Sequence, residues 1–162
     1  MEMKKIRIVI ASDLSGFPLK KEIITFLTEK GNIEIIDYGI ASEDMPKPYF
    51  EQAAKAAKAI QQGIAERGIL ICGTGQGMAI VANKHKGIYA CVVNDVFSGE
   101  RARIINNANV ITLGGWITAP FHAKEIVSGW LEMSFTQKME FKRDFLENAF
   151  KKVTDIENEN FR

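Results

Sequence analysis

The segment from Gly68 to Lys84 combines a thiol with a glycine-rich turn. Cys72 ends an apolar run typical of a buried strand, and Gly73, Gly75 and Gly77 follow it. Glycines at this spacing let the backbone turn tightly and point several N–H groups at one place. A helix that begins there adds the positive end of its dipole, so the place suits a phosphate or a developing oxyanion. The same surroundings favour the thiolate form of a cysteine, which can act as a base or nucleophile.

A plainer interpretation of Cys72 is a buried strand cysteine beside a sharp turn. The GTGQG segment lacks the rest of a dinucleotide-binding fingerprint, and it lacks the Gly-Lys-Ser/Thr ending of a Walker loop. Neither Cys-x-x-Cys nor His-x-x-x-His spacing occurs in the chain, so Cys72 and Cys91 are predicted to be free thiols rather than metal ligands.

The composition argues against several classes of protein. The 162 residues are 46% hydrophobic and 25% charged, with a net charge of +1, which is typical of one globular domain and not of a nucleic-acid-binding surface. No run approaches the ~20 apolar residues that span a bilayer. The apolar stretch Ile6–Ala11 is too short for a signal peptide. We therefore expect a cytoplasmic protein that binds neither nucleic acid nor membranes.

Strand and helix patterns alternate along the whole chain. The predicted strands are Ile6–Asp13, Ile33–Gly39, Gly68–Gly73, Ile88–Val93 and Asn109–Gly114. The predicted helices are Pro18–Lys30, Tyr49–Gln62, one from the glycine turn to about Lys84, Phe97–Ile105, Ala119–Leu131 and Lys138–Asn158. This order predicts a three-layer, doubly wound α/β fold with a five-stranded parallel sheet and a long C-terminal helix. We expect a single domain over residues 1–162.

Ligands of such sheets bind beyond the carboxyl ends of the strands. The segments that reach this edge are Ser12–Gly16, Gly39–Pro48, Cys72–Gly77, Asn94–Ser98 and Gly114–Ile117. The terminal helix carries an apolar stripe of Phe141, Phe145, Leu146, Phe150 and Val153, which must pack on its own domain or on another subunit. We favour a neighbouring subunit as the surface that this helix covers.

The segment ILICGTGQGMAIVANK resembles the signature of the type B ribose-5-phosphate isomerase and galactose-6-phosphate isomerase family. The resemblance extends to Asp13 with Gly16, to Ile35–Gly39 and to Asn106–Val110. It implies a flavodoxin-like or Rossmann-like homodimer or homotetramer with active sites between subunits. It also implies a phosphorylated sugar as substrate, a 1,2-proton shift through a cis-enediolate, and no metal or organic cofactor.

The resemblance also assigns roles to individual residues. Cys72 would remove the proton beside the carbonyl group, and Thr74 would contact the oxygens that exchange protons. Backbone N–H groups of the glycine loop would stabilise the enediolate, and Asp13 and Asn106 would hold sugar hydroxyls. The residues implied at the substrate are Asp13, Leu14, Gly73, Gly75, Gln76, Gly77 and Asn106.

Three positions depart from the family pattern. Leu14 and Ile105 stand where the family often has histidines, and Trp116 stands where an arginine often helps to bind phosphate. The only two histidines, His85 and His122, match no catalytic position, and we expect structural or solvated roles for both.

The histidine missing at Ile105 is the one that opens a furanose ring. A pentose 5-phosphate closes into such a ring, whereas a tetrose 4-phosphate cannot, because its O4 is esterified. The departure therefore favours a four-carbon substrate such as erythrulose 4-phosphate. Two alternatives remain open: a galactose-6-phosphate isomerase subunit that borrows the histidine from a homologous partner, and a non-catalytic sugar-phosphate-binding protein.

Lys138, Lys142 and Arg143 are the candidates for binding the phosphate from a neighbouring subunit. Charged residues of a terminal helix are also typical of its solvated face, which is the simpler interpretation. Arg101 and Arg103 are the second choice for binding the phosphate.

Overall fold

A computed structural model describes residues 5–161 and contains one sheet of five strands within them. The strands are β1 (Ile6–Ser12), β2 (Ile33–Asp37), β3 (Arg67–Cys72), β4 (Ala90–Val92) and β5 (Val110–Gly114). The helices are α1 (Phe17–Lys30), α2 (Tyr49–Gln61), α3 (Gln76–Ala82), α4 (Val96–Asn106), α5 (Pro120–Glu132) and α6 (Arg143–Asn160). The predicted alternation of strands and helices is confirmed.

All strand pairs of the sheet are parallel, in the order β2-β1-β3-β5-β4. The predicted doubly wound α/β fold with a long C-terminal helix is therefore confirmed. Because the sheet is parallel, the carboxyl ends of all strands lie along one edge. β3 is central, with β1 and β5 on either side, so the residues that follow these three strands surround Cys72.

The core consists of two layers of side chains, one on each face of the sheet. Ile69 and Ile71 of β3 pack with residues of α1, α4 and α5, whereas Leu70 and Cys72 pack with residues of α2 and α3. The two-residue period of a strand produces this division. Burial on both faces explains the nearly continuous apolar sequences of the central strands.

The edge strand β4 is shorter than the predicted Ile88–Val93. The Asn109 side chain accepts a hydrogen bond from the Tyr89 N–H at 2.8 Å and donates one to the Gly87 carbonyl at 2.8 Å. The Asn83 side chain bonds in the same way to the N–H and carbonyl groups of Ala90. The amide side chains of Asn83 and Asn109 therefore form hydrogen bonds with backbone N–H and carbonyl groups that strand pairing would otherwise use.

The terminal helix begins later than predicted. Lys138 lies in a turn with a φ of +62°, a 3-10 turn follows at Glu140–Lys142, and α6 begins at Arg143. The left-handed backbone at Lys138 and the turn hydrogen bond from the Met139 N–H to the Thr136 carbonyl, at 2.9 Å, interrupt the helix. The prediction that helix covers Lys138 and Lys142 was therefore wrong.

One side of α6 packs on its own chain. Leu146 is buried, and the Phe150 ring contacts the rings of Tyr89 and Phe135. The Tyr89 hydroxyl donates to Glu157 at 3.0 Å, and burial is the main cause of the raised pKa of Tyr89. The rest of the apolar stripe remains exposed, at Phe141, Phe145 and Val153, and so does Ile156 near the end of α6.

Within residues 5–161, no helix has the length and apolar character needed to cross a membrane.

Candidate active site

Cys72 is the last residue of β3, at the middle of the carboxyl edge. Its side chain is 6% exposed, and the Gly75 N–H donates to the Cys72 Sγ at 3.1 Å. Gly75 has a φ of +78°, a left-handed conformation that suits glycine and turns the loop back over the sulfur. A donor aimed at the sulfur stabilises negative charge there. The structure thus places the thiol beneath the glycine loop, and its role as a base stays a prediction.

The loop continues directly into α3. Thr74 is half-buried and Gln76 is exposed, and the Gln76 N–H donates to Thr74 Oγ1 at 3.4 Å. Because α3 begins at Gln76, the N–H groups of its first turn have no carbonyl partners within the helix. Backbone donors and the Cys72 sulfur therefore lie within one short stretch of chain.

The turn after β1 lies beside the end of β3. The Gly16 N–H donates to Asp13 Oδ1 at 3.0 Å, and Gly16 packs so closely on the Ile71 carbonyl that no side chain would fit there. Leu14, in the same turn, is 46% exposed. The structure therefore brings Asp13 and Leu14 to the edge that holds Cys72.

The turn after β5 is hydrogen-bonded to the end of β3, on the side opposite to the turn after β1. The Gly115 N–H donates to the Cys72 carbonyl at 2.7 Å, and the Trp116 N–H donates to the Gly73 carbonyl at 3.0 Å. Trp116 is nevertheless 74% exposed. An exposed indole thus stands next to the glycine loop with its backbone held in place.

Two aromatic rings contact the glycine loop, one near each end. A Cβ atom on Gly73 would lie 2.6–2.8 Å from three ring atoms of Trp116, and one on Gly77 would lie 2.6–3.0 Å from three ring atoms of Tyr49. Only glycine permits such close approach. Tyr49 was missed by the sequence reasoning. The signal was its place at the start of α2, directly after the Gly39–Pro48 segment at the carboxyl edge.

The loops that join strands to helices at this edge carry few cations. One lysine, Lys47, and no arginine occur in these loops, which are residues 13–16, 38–48, 73–75, 93–95 and 115–119. The same loops contain four acidic residues, Asp13, Glu43, Asp44 and Asp95. This part of the chain therefore offers an anionic substrate mainly backbone N–H groups.

Both histidines lie outside these loops. His85 follows α3, with its Nδ1 3.1 Å from the Val81 carbonyl oxygen. His122 lies in the first turn of α5 and makes a small contribution to the lowered pKa of Asp95. The main cause of that lowered pKa is hydrogen bonding from the Ser98 N–H and hydroxyl groups. The structural or solvated roles expected of both histidines stay predictions.

Asn106 lies at the opposite edge of the sheet from Cys72. It ends α4 shortly before β5 begins at Val110, whereas Cys72 pairs with Gly114 at the far end of β5. Four residues of strand at ~3.3 Å each separate the two edges by roughly 13 Å. One chain therefore does not bring Asn106 to the Cys72 thiol.

The predicted phosphate-binding residues lie on the Asn106 side of the molecule. Lys142 and Arg143 line a cavity of about 440 Å³ together with Phe145. Phe145 also lines an apolar cavity of about 330 Å³ that includes Asn106. Lys138 makes a 3.4 Å ion pair with Glu100.

The two second-choice arginines are engaged within the chain. Arg101 forms a 3.3 Å ion pair with Glu100. Arg103 donates to the carbonyls of Asn107 and Ala108 at 3.3 Å, and burial lowers its pKa.

Within residues 5–161, no group of three or more histidine, cysteine or acidic side chains is arranged as a metal site.

Replacing Gly75 by alanine should lower both stability and activity, because two effects combine. An L-residue at this φ loses ~1–2 kcal/mol, and the new Cβ would lie 3.1–3.2 Å from the Leu113 backbone. Gly63→Ala is the matched control, since Gly63 has a φ of +70° with nothing within 4 Å of its Cβ position. We expect urea unfolding to show a larger loss of stability for Gly75→Ala and activity assays to show a defect for this variant alone. Equal losses of stability in both variants would contradict the proposed crowding.

The chain is similar to isomerases that act on sugars and their derivatives. Residues 8–145 match the ribose/galactose isomerase family. A 4-deoxy-4-sulfo-D-erythrose isomerase from Clostridium sp. strain MSTE9 is 45% identical over 157 residues, covering 96% of this chain and 98% of that protein. A D-erythrulose-4-phosphate isomerase from Pectobacterium atrosepticum is 43% identical over 128 residues, covering 79% and 84%.

Solved structures show the same relationship. A ribose-5-phosphate isomerase B from Clostridium thermocellum superimposes with a TM-score of 0.86 at 34% identity, covering 95% of this chain and 99% of that one. The sequence match spans most of the chain and includes the Cys72 loop. The chain therefore belongs to the ribose/galactose isomerase family and is an aldose–ketose isomerase.

Proposed function

We propose that this chain interconverts the aldose and ketose forms of a four-carbon sugar with an anionic group on C4, using Cys72 as the base. The observation that carries the proposal is the contact between the Gly75 N–H and the Cys72 Sγ, at 3.1 Å, where the central strand ends. This contact holds a thiol at the open edge of the sheet beneath backbone donors. A base and an oxyanion-stabilising loop are the two groups that a proton shift beside a carbonyl needs.

The proton shift itself uses the Cys72 thiol, the loop N–H groups and Thr74. The Cys72 thiolate takes the proton from C2 of the aldose, the C–H electrons form a C1=C2 double bond, and the carbonyl π electrons move to O1. Loop N–H groups, with Thr74 beside them, stabilise the resulting enediolate. The thiol then returns the proton to C1 while the proton of the C2 hydroxyl passes to O1, which gives the ketose with its carbonyl at C2 and a hydroxyl at C1. We propose that this catalysis requires neither a metal nor an organic cofactor.

The four-carbon length is supported by Ile105, which replaces the ring-opening histidine of the family pattern. A sugar with a phosphate on O4 cannot form a furanose ring. A 4-deoxy-4-sulfo sugar cannot form one either, because it has no O4. The relatives named for four-carbon sugars, at 45% and 43% identity, support the same length.

The anion on C4 is either a phosphate or a sulfonate. The family resemblance implies a phosphorylated sugar, which favours erythrulose 4-phosphate. The sulfonated substrate named for the 45% identical relative favours the second candidate.

We propose that each active site combines two subunits of a homodimer or homotetramer. Asn106, Lys142 and Arg143 lie away from their own Cys72 and can serve a neighbouring copy. The exposed apolar residues of α6, such as Phe145, Val153 and Ile156, support contact of this helix with that copy. We also propose a cytoplasmic location, in keeping with the free thiols Cys72 and Cys91.

Deuterium exchange tests the proposal. The protein is incubated in heavy water with erythrulose 4-phosphate, its 4-deoxy-4-sulfo analogue, ribulose 5-phosphate or tagatose 6-phosphate, and the sugars are analysed by NMR. We expect deuterium on the carbon beside the carbonyl of a four-carbon sugar, and the two four-carbon arms identify the anion. Exchange with none of the sugars would overturn the proposed function. Exchange of tagatose 6-phosphate alone, and only with a homologous partner, would favour a galactose-6-phosphate isomerase subunit instead.

A further inference from the structure

We propose that the indole of Trp116 forms the wall that ends the sugar subsite and restricts the substrate to four carbons. This inference rests on the proposed function, because it concerns the length of the sugar that Cys72 deprotonates. It assigns Trp116 as a specificity-determining residue.

The backbone at Trp116 is fixed relative to the thiol. The N–H groups of Gly115 and Trp116 donate to the carbonyls of Cys72 and Gly73 at 2.7 Å and 3.0 Å. Further turn bonds run from Ile117 and Thr118 to the Gly114 carbonyl at 3.0 Å and 2.9 Å. The Cα atom of Trp116 therefore has a defined position relative to Cys72.

The indole also has no room to retreat toward the loop. Its atoms Cδ2, Cε3 and Cζ3 lie 2.6–2.8 Å from the point that a Gly73 Cβ would occupy. The ring is therefore already at van der Waals contact with the Gly73 backbone. A substrate that pressed on its outer side would meet a surface that cannot yield inward.

The outer side of the ring is open. Trp116 is 74% exposed although it contacts the loop that follows the buried Cys72. Tyr49 contacts Gly77 near the other end of the loop, so the two rings border the loop on two sides. A ligand over the loop donors is bounded by Trp116 on one side and by Tyr49 on the other.

This boundary predicts discrimination by length. A fifth carbon with its hydroxyl would have to occupy space that the indole holds. One additional carbon in a shaped pocket changes kcat/KM by about 10–200-fold. We expect the wild type to prefer four carbons over five within that range, even where ring opening plays no part.

The ketoses erythrulose 4-phosphate and ribulose 5-phosphate provide the test. Both remain open-chain, since the oxygen that would close a five-membered ring is phosphorylated or absent, so they differ only in length. We expect Trp116→Ala to raise kcat/KM for ribulose 5-phosphate relative to erythrulose 4-phosphate by about 10-fold or more. The change should arise mainly in KM, because the wall contacts the sugar and not the transferred proton. Trp116→Phe, with a smaller ring, should shift the ratio less.

Phe121→Ala is the matched control, since it removes a 78% exposed aromatic ring from the first turn of α5. An unchanged ratio in Trp116→Ala, or an equal shift in Phe121→Ala, would overturn the assignment of Trp116. If the wild type exchanges deuterium into none of the sugars, the proposed function itself fails. If it exchanges deuterium and the ratio does not move, only the role of Trp116 fails.

Discussion

Cys72→Ala is expected to exchange deuterium into its sugar about 10³-fold more slowly than the wild type while unfolding at a similar urea concentration. Removing a positioned base typically lowers a rate by 10²–10⁴-fold. The Cys72 side chain is small and lies at the open end of β3, so its loss leaves little cavity. Exchange is measured by NMR in heavy water, and stability by circular dichroism.

Cys91→Ala is the control for the loss of a thiol. Cys91 lies in the edge strand β4, and burial raises its pKa, so it should remain protonated at neutral pH. We expect iodoacetamide to inactivate the wild type and Cys91→Ala equally, and bound sugar to slow the inactivation. If Cys72→Ala retained full exchange activity, the assignment of the base would be wrong.

Mixed dimers of Cys72→Ala and Asn106→Ala chains should be active although each parent variant is impaired. The two residues lie at opposite edges of one chain, so a site that uses both must take them from two copies. In a two-fold symmetric dimer, a mixed pair contains one site that lacks both residues and one that is intact. Coexpression with two different tags and tandem purification isolates this pair, which should have about half of the wild-type activity.

Differently tagged Cys72→Ala chains, paired with each other, are the control for the purification and should stay inactive. A mixed dimer no more active than its parents would show that Cys72 and Asn106 do not share a site across the interface.

The architecture was predictable because local patterns and the fold agree. Parallel strands buried on both faces must be apolar throughout, as Ile69, Leu70 and Ile71 are, and the helices between them carry apolar faces. Once the sheet is known to be parallel, the carboxyl-edge rule places Asp13, Leu14 and Cys72 together. Periodicity and the positions of the strand ends are therefore enough to bring these residues of the candidate site to one edge.

The errors came where side chains or unusual backbone replace regular hydrogen bonds. Left-handed backbone usually occurs at glycine or asparagine, and position 138 is a lysine. The sequence therefore contained no sign of this turn, and the start of the terminal helix was predicted too early in the chain. The amides of Asn83 and Asn109 bond to the segment before β4, which apolar periodicity cannot show. Tyr49 was missed because its contact with Gly77 is tertiary and depends on how α2 packs beside α3.

The contrast between the two tryptophans provides an optical signal for the site. Trp130 of α5 is fully buried in the core, whereas Trp116 is exposed to solvent beside the glycine loop. Emission from the first should be blue-shifted and shielded from acrylamide, and emission from the second should be red-shifted and readily quenched. Because the sugar is proposed to bind against Trp116, we expect its binding to reduce the quenchable component, so that intrinsic fluorescence reports on it with no dye attached.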